Sequence, residues 1–366
     1  MSEIHLLGGT EFLGRIDAER PPLLLDVREP DEFASWAIPG AVNFPLGELA
    51  DSISSLPPHE NGIVVVCAKG ARAQSGAEIL RSAGIDADVL DGGMSTWGTV
   101  YDSITRDIGG VSVTQFRRRG KGCLSYVIAA HAVAVVIDPS RDIEQYLDHA
   151  AAQGAVITHV FDTHLHADHL SGARRLAVAA HADLVLNPAD PFAYEFTPVR
   201  DGMTVSFGGE IELAVSAVSA PGHTEGSTVF RLGEAALFTG DTLFLESVGR
   251  PDLADQAEAF ARSLYRSLHE RVLVLPDELL VLPAHVGQSV IIPPDEFVTA
   301  TLGELRRSLA ALSMSEENFV EWAVGRITPQ PPNYQEIVRC NAGLVAYDHE
   351  AGAALEYGPN RCAIAS

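Results

Sequence analysis

Lysine is nearly missing from this chain: Lys69 and Lys121 are the only two among 25 basic residues, against 49 acidic ones. The resulting net charge of −24 argues against nucleic acid or an anionic membrane surface as partner. The scarcity of lysine itself fits a GC-rich genome or a salt-adapted host and has no bearing on mechanism. Cysteine is sparse too. Cys67, Cys123, Cys340 and Cys362 are scattered and form no C-x-x-C pair. That excludes a disulfide framework and points to a reducing cytoplasm. No apolar run approaches the roughly 20 residues that span a bilayer. The opening Met1-Ser2-Glu3-Ile4-His5 lacks the basic-then-apolar pattern of a signal peptide. The expectation is therefore a cytoplasmic protein without membrane contact. What is present is ordinary globular composition, 46% hydrophobic over 366 residues, which is too long for one typical core and right for two domains.

The first hundred residues alternate short strands and helices. Pro22–Val27, Gly62–Cys67 and Asp86–Leu90 read as strands, and Ala73–Ser82 reads as a helix. That alternation predicts a small parallel α/β sheet in a domain over 1–102. Tyr101–Gly110 is polar and ends in Gly-Gly, so 103–112 reads as a linker. A different pattern fills 113–366. Strands are expected at Val111–Phe116, Leu124–Ile128, Ala132–Ile137, Val156–Phe161, Thr204–Phe207, Ile211–Val218, Thr228–Leu232 and Ala235–Thr239. Helices are expected at Asp142–Gln153, Gly172–His181, Gln256–Leu268 and Tyr334–Cys340. Strands interrupted by helices predict two sheets flanked by helices.

The segment after Val156–Phe161 carries the strongest chemical signal. Thr163-His164-Leu165-His166-Ala167-Asp168-His169 places three imidazoles and a carboxylate in one short loop. Such donors suit Zn(II), Fe(II) or Mn(II), and without a metal they would need many partners in one small space. A solvated polar loop is the bland alternative. Further donors recur downstream: His223 in Pro221-Gly222-His223-Thr224, Asp241 in Thr239-Gly240-Asp241-Thr242, and His285 in Pro283-Ala284-His285. Each sits where a strand delivers a loop, a usual way for distant residues to converge on one site. Arg250 is a candidate contact for a substrate anion, with a structural salt bridge as the alternative. Tyr126 and Cys123 read equally well as core or pocket residues. His131, His149, His159, His181, His269 and His349 have no motif around them.

The set His-x-His-x-Asp-His, Pro-Gly-His-Thr, Thr-Gly-Asp and Pro-Ala-His resembles the metallo-β-lactamase superfamily, over roughly residues 111–290. The resemblance implies an αββα sandwich with a C-terminal helical extension. It leaves the reaction open between zinc hydrolases and iron oxygenases. Gly122-Cys123-Leu124-Ser125-Tyr126, Ser247-Val248-Gly249-Arg250-Pro251-Asp252-Leu253 and Pro331-Pro332-Asn333-Tyr334-Gln335-Glu336-Ile337 are similar to the persulfide (sulfur) dioxygenases. That resemblance implies one Fe(II) per chain, held by His164, His223 and Asp241 with sites left for water, O2 and substrate sulfur. His166, Asp168, His169 and His285 would then support those ligands. The same inventory also satisfies a dinuclear zinc thioesterase or lactonase resembling glyoxalase II, with two Zn per chain.

Cys67 ends a hydrophobic strand and opens Cys67-Ala68-Lys69-Gly70-Ala71-Arg72, with a helix following. Loop amides, the helix dipole, Lys69 and Arg72 all favour an anionic sulfur there. A buried inert cysteine is the alternative. Leu25-Asp26-Val27-Arg28-Glu29, Ile38-Pro39-Gly40-Ala41, the Cys67 loop and Leu90-Asp91-Gly92-Gly93 resemble a single-domain rhodanese over roughly 8–100. Where many members have Gly-His before Ile-Pro-Gly-Ala, this chain has Trp36-Ala37. Together the resemblances imply a bifunctional enzyme of sulfur metabolism. One half oxidises a thiol persulfide of glutathione or coenzyme A type with O2 to sulfite. The other passes sulfane sulfur through Cys67, with Lys69 and Arg250 as substrate contacts and sulfite or thiosulfate as co-substrates. A homo-oligomer is implied as well. The remaining alternative is a non-catalytic protein for sulfur trafficking or sensing.

Overall fold

The computed structural model describes every residue except 1–2, 207–213, 252–255, 288–291, 328–329, 331–332, 361 and 363–366. Expectations at Phe207, 211–213, Asp252, Leu253, Pro331 and Pro332 therefore lie outside the described residues. Among the described residues, the first sheet holds β1 (Leu6–Leu7), β2 (Leu23–Asp26), β3 (Val42–Asn43), β4 (Ile63–Val66) and β5 (Asp88–Leu90). All pair in parallel, in the order β1-β5-β4-β2-β3. Helices α1 (Gly9–Ile16) and α5 (Met94–Trp97) pack on one face with Val64 and Val66. On the other face, α3 (Leu46–Ser52) and α4 (Ala71–Ser82) pack with Ile63 and Val65, while α2 (Pro30–Ser35) lies between β2 and β3 in the chain. Coverage on both faces is why Ile63–Val66 is an unbroken apolar run rather than an alternating one.

Residues 103–112 are not a linker. β6 (Tyr101–Ile108) pairs antiparallel with β7 (Val111–Arg118), from Tyr101 opposite Arg118 to Ile108 opposite Val111. Gly109-Gly110, with φ of +66° and +84°, is the two-residue hairpin turn between them. The polar composition of β6 is that of an edge strand with one face in solvent, which composition alone does not distinguish from a connector.

The second sheet runs β12-β11-β10-β9-β8-β7-β6. Its other members are β8 (Cys123–Ala130), β9 (Val133–Ile137), β10 (Val156–Phe161), β11 (Asp183–Leu186) and β12 (Thr197–Pro198). The third sheet follows chain order: β13 (Thr204–Ser206), β14 (Ala214–Ser219), β15 (Thr228–Leu232), β16 (Ala236–Gly240), β17 (Leu280–Pro283) and β18 (Ala300–Thr301). Tyr126 and Phe161 of the second sheet meet Phe238 and Phe230 of the third, each pair with ring centroids 4.9 Å apart. Each aromatic contributes roughly 1.5–3 kcal/mol on burial, so these facing pairs are a principal tie between the sheets. Helices α6 (Glu144–Ala152) and α7 (Ala173–Ala180) cover the outer face of the second sheet. Helices α8 (Ala257–Arg266), α9 (Leu302–Ser308) and α10 (Glu316–Val324) cover that of the third. This is the expected αββα sandwich.

The extension beyond it carries α11 (Tyr334–Asn341) and α12 (His349–Leu355). Glu356, just after α12, is buried among the Arg118 guanidinium (3.0 Å), Arg141 Nε (2.7 Å) and the Leu170 amide (2.8 Å). The two halves touch directly. Trp36 Nε1 donates to the Gly120 carbonyl (3.1 Å), Arg118 Nε donates to the Gly98 carbonyl (2.6 Å), and Arg119 pairs with Asp17 (2.8 Å). Among the described residues, no helix is long and apolar enough to cross a membrane.

Candidate functional site

Four strands of the sandwich deliver the predicted donors to one end of it. His164 to His169 follow β10, His223 follows β14, Asp241 follows β16 and His285 follows β17. All are buried. One donor atom each from His164, His223 and Asp241 lies within 4.8 Å of the other two. His164 Nε2 is 3.6 Å and His223 Nε2 is 3.4 Å from Asp241 Oδ2. None of these three atoms has a hydrogen-bond partner.

Their neighbours fix the tautomers. The Thr163 hydroxyl donates to Asp138 (3.0 Å), so at 2.9 Å from His164 Nδ1 it is left to accept from it. His223 Nδ1 donates to the Arg250 carbonyl (2.9 Å). Both Nε2 atoms therefore carry lone pairs and face a carboxylate oxygen: three acceptors and no donor. Burial holds His164 well below the usual imidazole range and lowers His223, which keeps both rings neutral. Burial opposes charge on Asp241, but His285 and His164 outweigh it and hold the carboxyl below its usual range. Two neutral imidazoles and one carboxylate are the donor set of a facial triad for Fe(II), and separations near 3.5 Å suit a cation with bonds of about 2.1 Å. The residues fit the metal that the resemblance implies.

The other predicted residues surround this group without joining it. His285 Nδ1 donates to Asp241 Oδ1 (2.7 Å), which leaves Oδ2 as the oxygen turned to the two imidazoles. Its Nε2 lies 3.0 Å from Asp168, and burial is outweighed by Asp168 and Asp241, which raise His285 well above its ordinary value. His169 Nδ1 is 2.9 Å from Asp168 Oδ1. His166 holds Nε2 at 3.2 Å from Asp138 and 3.7 Å from Asp162, while its ring centroid lies 4.2 Å from that of His164 and its Nδ1 has no hydrogen-bond partner. Arg250 is buried, and its charge adds to the lowering of His223, which places the guanidinium within electrostatic reach of the site. Gly249 is required beside it: a Cβ there would stand 1.9 Å from the Asp241 carbonyl oxygen.

Sequence reasoning missed Asp138 and Cys362, and left Cys123 open between core and pocket. Asp138 anchors Thr163 through its amide (2.7 Å) and hydroxyl, and it does so from a left-handed backbone, φ +53°. Its position at the end of β9, matching the strand-end placement of the other donors, was an available signal. Cys123 groups with Asp168, His169 and His285 within 4.8 Å, and Cys362 groups with Asp241 and His285. Burial opposes the Cys123 thiolate, yet His169 and His285 bring the thiol down to about 6. Nothing local in the sequence marks Cys362.

In the first domain, Cys67 follows β4 and is 2% exposed. Gly70 N donates to its Sγ at 3.1 Å, from the turn that opens α4. Arg72 reaches Glu32 with both terminal nitrogens, at 2.7 Å each, so its fork is committed to that carboxylate while its charge stays beside the loop. Lys69 is exposed on the loop's outer side.

Residues 9–99 match the family described as Rhodanese-like domain, and residues 118–285 match the Metallo-beta-lactamase superfamily. The persulfide dioxygenase ETHE1 of Homo sapiens is 29% identical over 215 residues, 57% of this chain and 78% of the human one. An uncharacterized protein of Mycobacterium tuberculosis is 31% identical over 216 residues, 49% of this chain and 92% of that relative. The crystal structure of ETHE1 from Myxococcus xanthus superposes with a TM-score of 0.56 at 28% identity, covering 66% of this chain and all of that one. The chain thus carries a rhodanese-like domain followed by a metallo-beta-lactamase superfamily domain, and the ETHE1 persulfide dioxygenases are among its homologues.

Proposed function

We propose that residues 101–366 form an Fe(II)-dependent persulfide dioxygenase and residues 1–100 a sulfurtransferase working through Cys67. The overall reaction of the first half is R–S–SH with O2 and water giving R–SH, sulfite and two protons. The observation that carries this reading is the convergence of three buried, unpartnered acceptor atoms from His164, His223 and Asp241, while His166 holds its Nε2 on Asp138 and Asp162. Iron bound by those three residues supplies the activation of O2. The protein supplies the rest. Thr163 and the Arg250 carbonyl fix the two imidazoles, and His285 clamps Asp241. The Arg250 guanidinium offers charge to an anionic persulfide. Burial of every donor keeps bulk water from competing for the three ligand atoms.

In the other half, Cys67 holds a sulfane sulfur and exchanges it with sulfite, thiosulfate or a thiol, in a direction set by their concentrations. A second reading, a dinuclear zinc thioesterase or lactonase, is favoured by the neighbouring donor group of Asp168, His169, His285 and Cys123. Metal analysis of anaerobically purified protein, with O2 uptake on addition of glutathione persulfide, separates the two. One iron per chain and rapid uptake are expected. Two zinc ions, no uptake and rapid thioester hydrolysis would replace the first reading with the second.

A further inference from the structure

A cavity of about 430 Å³ lies between the two domains beside the Cys67 loop. Trp36, Lys69 and Ser95 line it from the rhodanese-like side, and Glu350, Ala353 and Tyr357 line it from α12 and the turn after it. Its size is that of a site for one small molecule. The near wall is held to the loop: the Ser95 amide and hydroxyl both donate to the Ala68 carbonyl, at 3.2 and 3.3 Å, one residue from Cys67. The far wall is held in turn. The Tyr357 ring meets Trp36 edge-on with centroids 5.2 Å apart, while Glu356 is locked by Arg118 and Arg141. Trp36 is the residue at which this chain departs from the rhodanese pattern, and here it joins the two walls.

Besides the paired Arg118 and Glu356, the walls carry two opposite charges. Lys69 and Glu350 make no ion pair within 4.0 Å among the described residues. A cation on one wall, a carboxylate on the other and the exposed Tyr357 ring beside them match a small molecule bearing both a carboxylate and an ammonium group.

We propose that this interdomain cavity binds the acceptor for the sulfur on Cys67, and that the acceptor is a zwitterionic low-molecular-weight thiol. The inference rests on the reading of Cys67 as a persulfide carrier. The acceptor's carboxylate faces Lys69 and its ammonium faces Glu350. Its thiolate attacks the outer sulfur of Cys67–S–SH. A new R–S–S bond forms, the S–S bond to Cys67 breaks, and that electron pair remains on Sγ. The products are R–S–SH and the Cys67 thiolate, with no external oxidant or reductant. The acceptor site then exists only in the two-domain chain, and its product is the persulfide that the second domain consumes.

The test uses the full chain, with thiosulfate as donor and glutathione, 2-mercaptoethanol or cyanide as acceptor. Glu350→Ala is expected to lower the preference for glutathione over 2-mercaptoethanol about fivefold, the worth of one exposed charge pair. Ala353→Trp fills the cavity from an exposed helix position and is expected to cut kcat/KM roughly tenfold more for glutathione than for cyanide. Unchanged preference in the first variant and equal effects on both acceptors in the second overturn the cavity assignment. A wild-type chain that moves no sulfur from thiosulfate even to cyanide overturns the reading of Cys67 instead.

Discussion

At the scale of single residues, the donor groups around Asp241 divide by what they touch. His164 and His223 have free Nε2 lone pairs and nothing else to do with them. His164→Ala or Asp241→Ala is expected to leave folded protein that retains less than about a tenth of the wild-type iron, measured by elemental analysis after anaerobic reconstitution. His285 instead acts through Asp241, so His285→Ala is expected to weaken iron binding about 10- to 100-fold rather than abolish it, read by titration with a competing chelator. Loss of metal equal to that of His164→Ala would make His285 a direct ligand. The thiol domain gives an independent check. Cys67→Ser is expected to abolish thiosulfate:cyanide sulfur transfer while O2 uptake with glutathione persulfide stays largely intact. Equal loss of both activities would show that the two sites do not work independently.

At the scale of elements, legibility followed chemistry and burial. β10 was readable as a strand because Val156–Phe161 is apolar and hands over to a loop of donors. The donors themselves were readable because metal chemistry admits few residue types. β6 was not, since an edge strand in solvent has the composition of a connector; its sign was the Gly109-Gly110 turn. The segment after α12 was equally silent. It contains ordinary residues whose roles are set by partners 186 to 238 positions away, such as Leu170 and Arg118 for Glu356. Removing that one carboxylate by Glu356→Gln strands two guanidinium groups in the interior, and a loss of about 3–5 kcal/mol in urea unfolding at pH 7 is expected. Burial opposes the charge on Glu356, but Arg118 and Arg141 outweigh it and hold its folded-state value below the usual 4.5. Its contribution is therefore complete above the unfolded value and disappears as pH falls through the depressed folded one. The gap between wild type and Glu356→Gln is expected to narrow in urea melts taken below pH 4.5, and a gap that widened there would contradict the ion-pair account.

At the scale of the whole molecule, excess charge is the dominant global term. With 49 acidic and 25 basic residues, the folded chain repels itself. Its melting temperature is expected to rise by a few degrees between roughly 10 mM and 200 mM salt, as the screening length shortens from about 30 to under 10 Å. A flat response would mean that the acidic groups are already compensated in pairs. The two halves share this charge as one body. α5 ends at Trp97 and β6 begins at Tyr101, so only 98–100 separate the last helix of one domain from the first strand of the next. The place where the chain divides without loss to either sheet is thus confined to those three residues. A recombination event at 109–110 instead separates β6 from the second domain and leaves Val111–Arg118, buried along nearly its whole length, as a raw sheet edge. Such an edge invites pairing with other chains. The three residues 98–100 are therefore the whole seam, and a crossover that strays past them costs the second domain its edge strand.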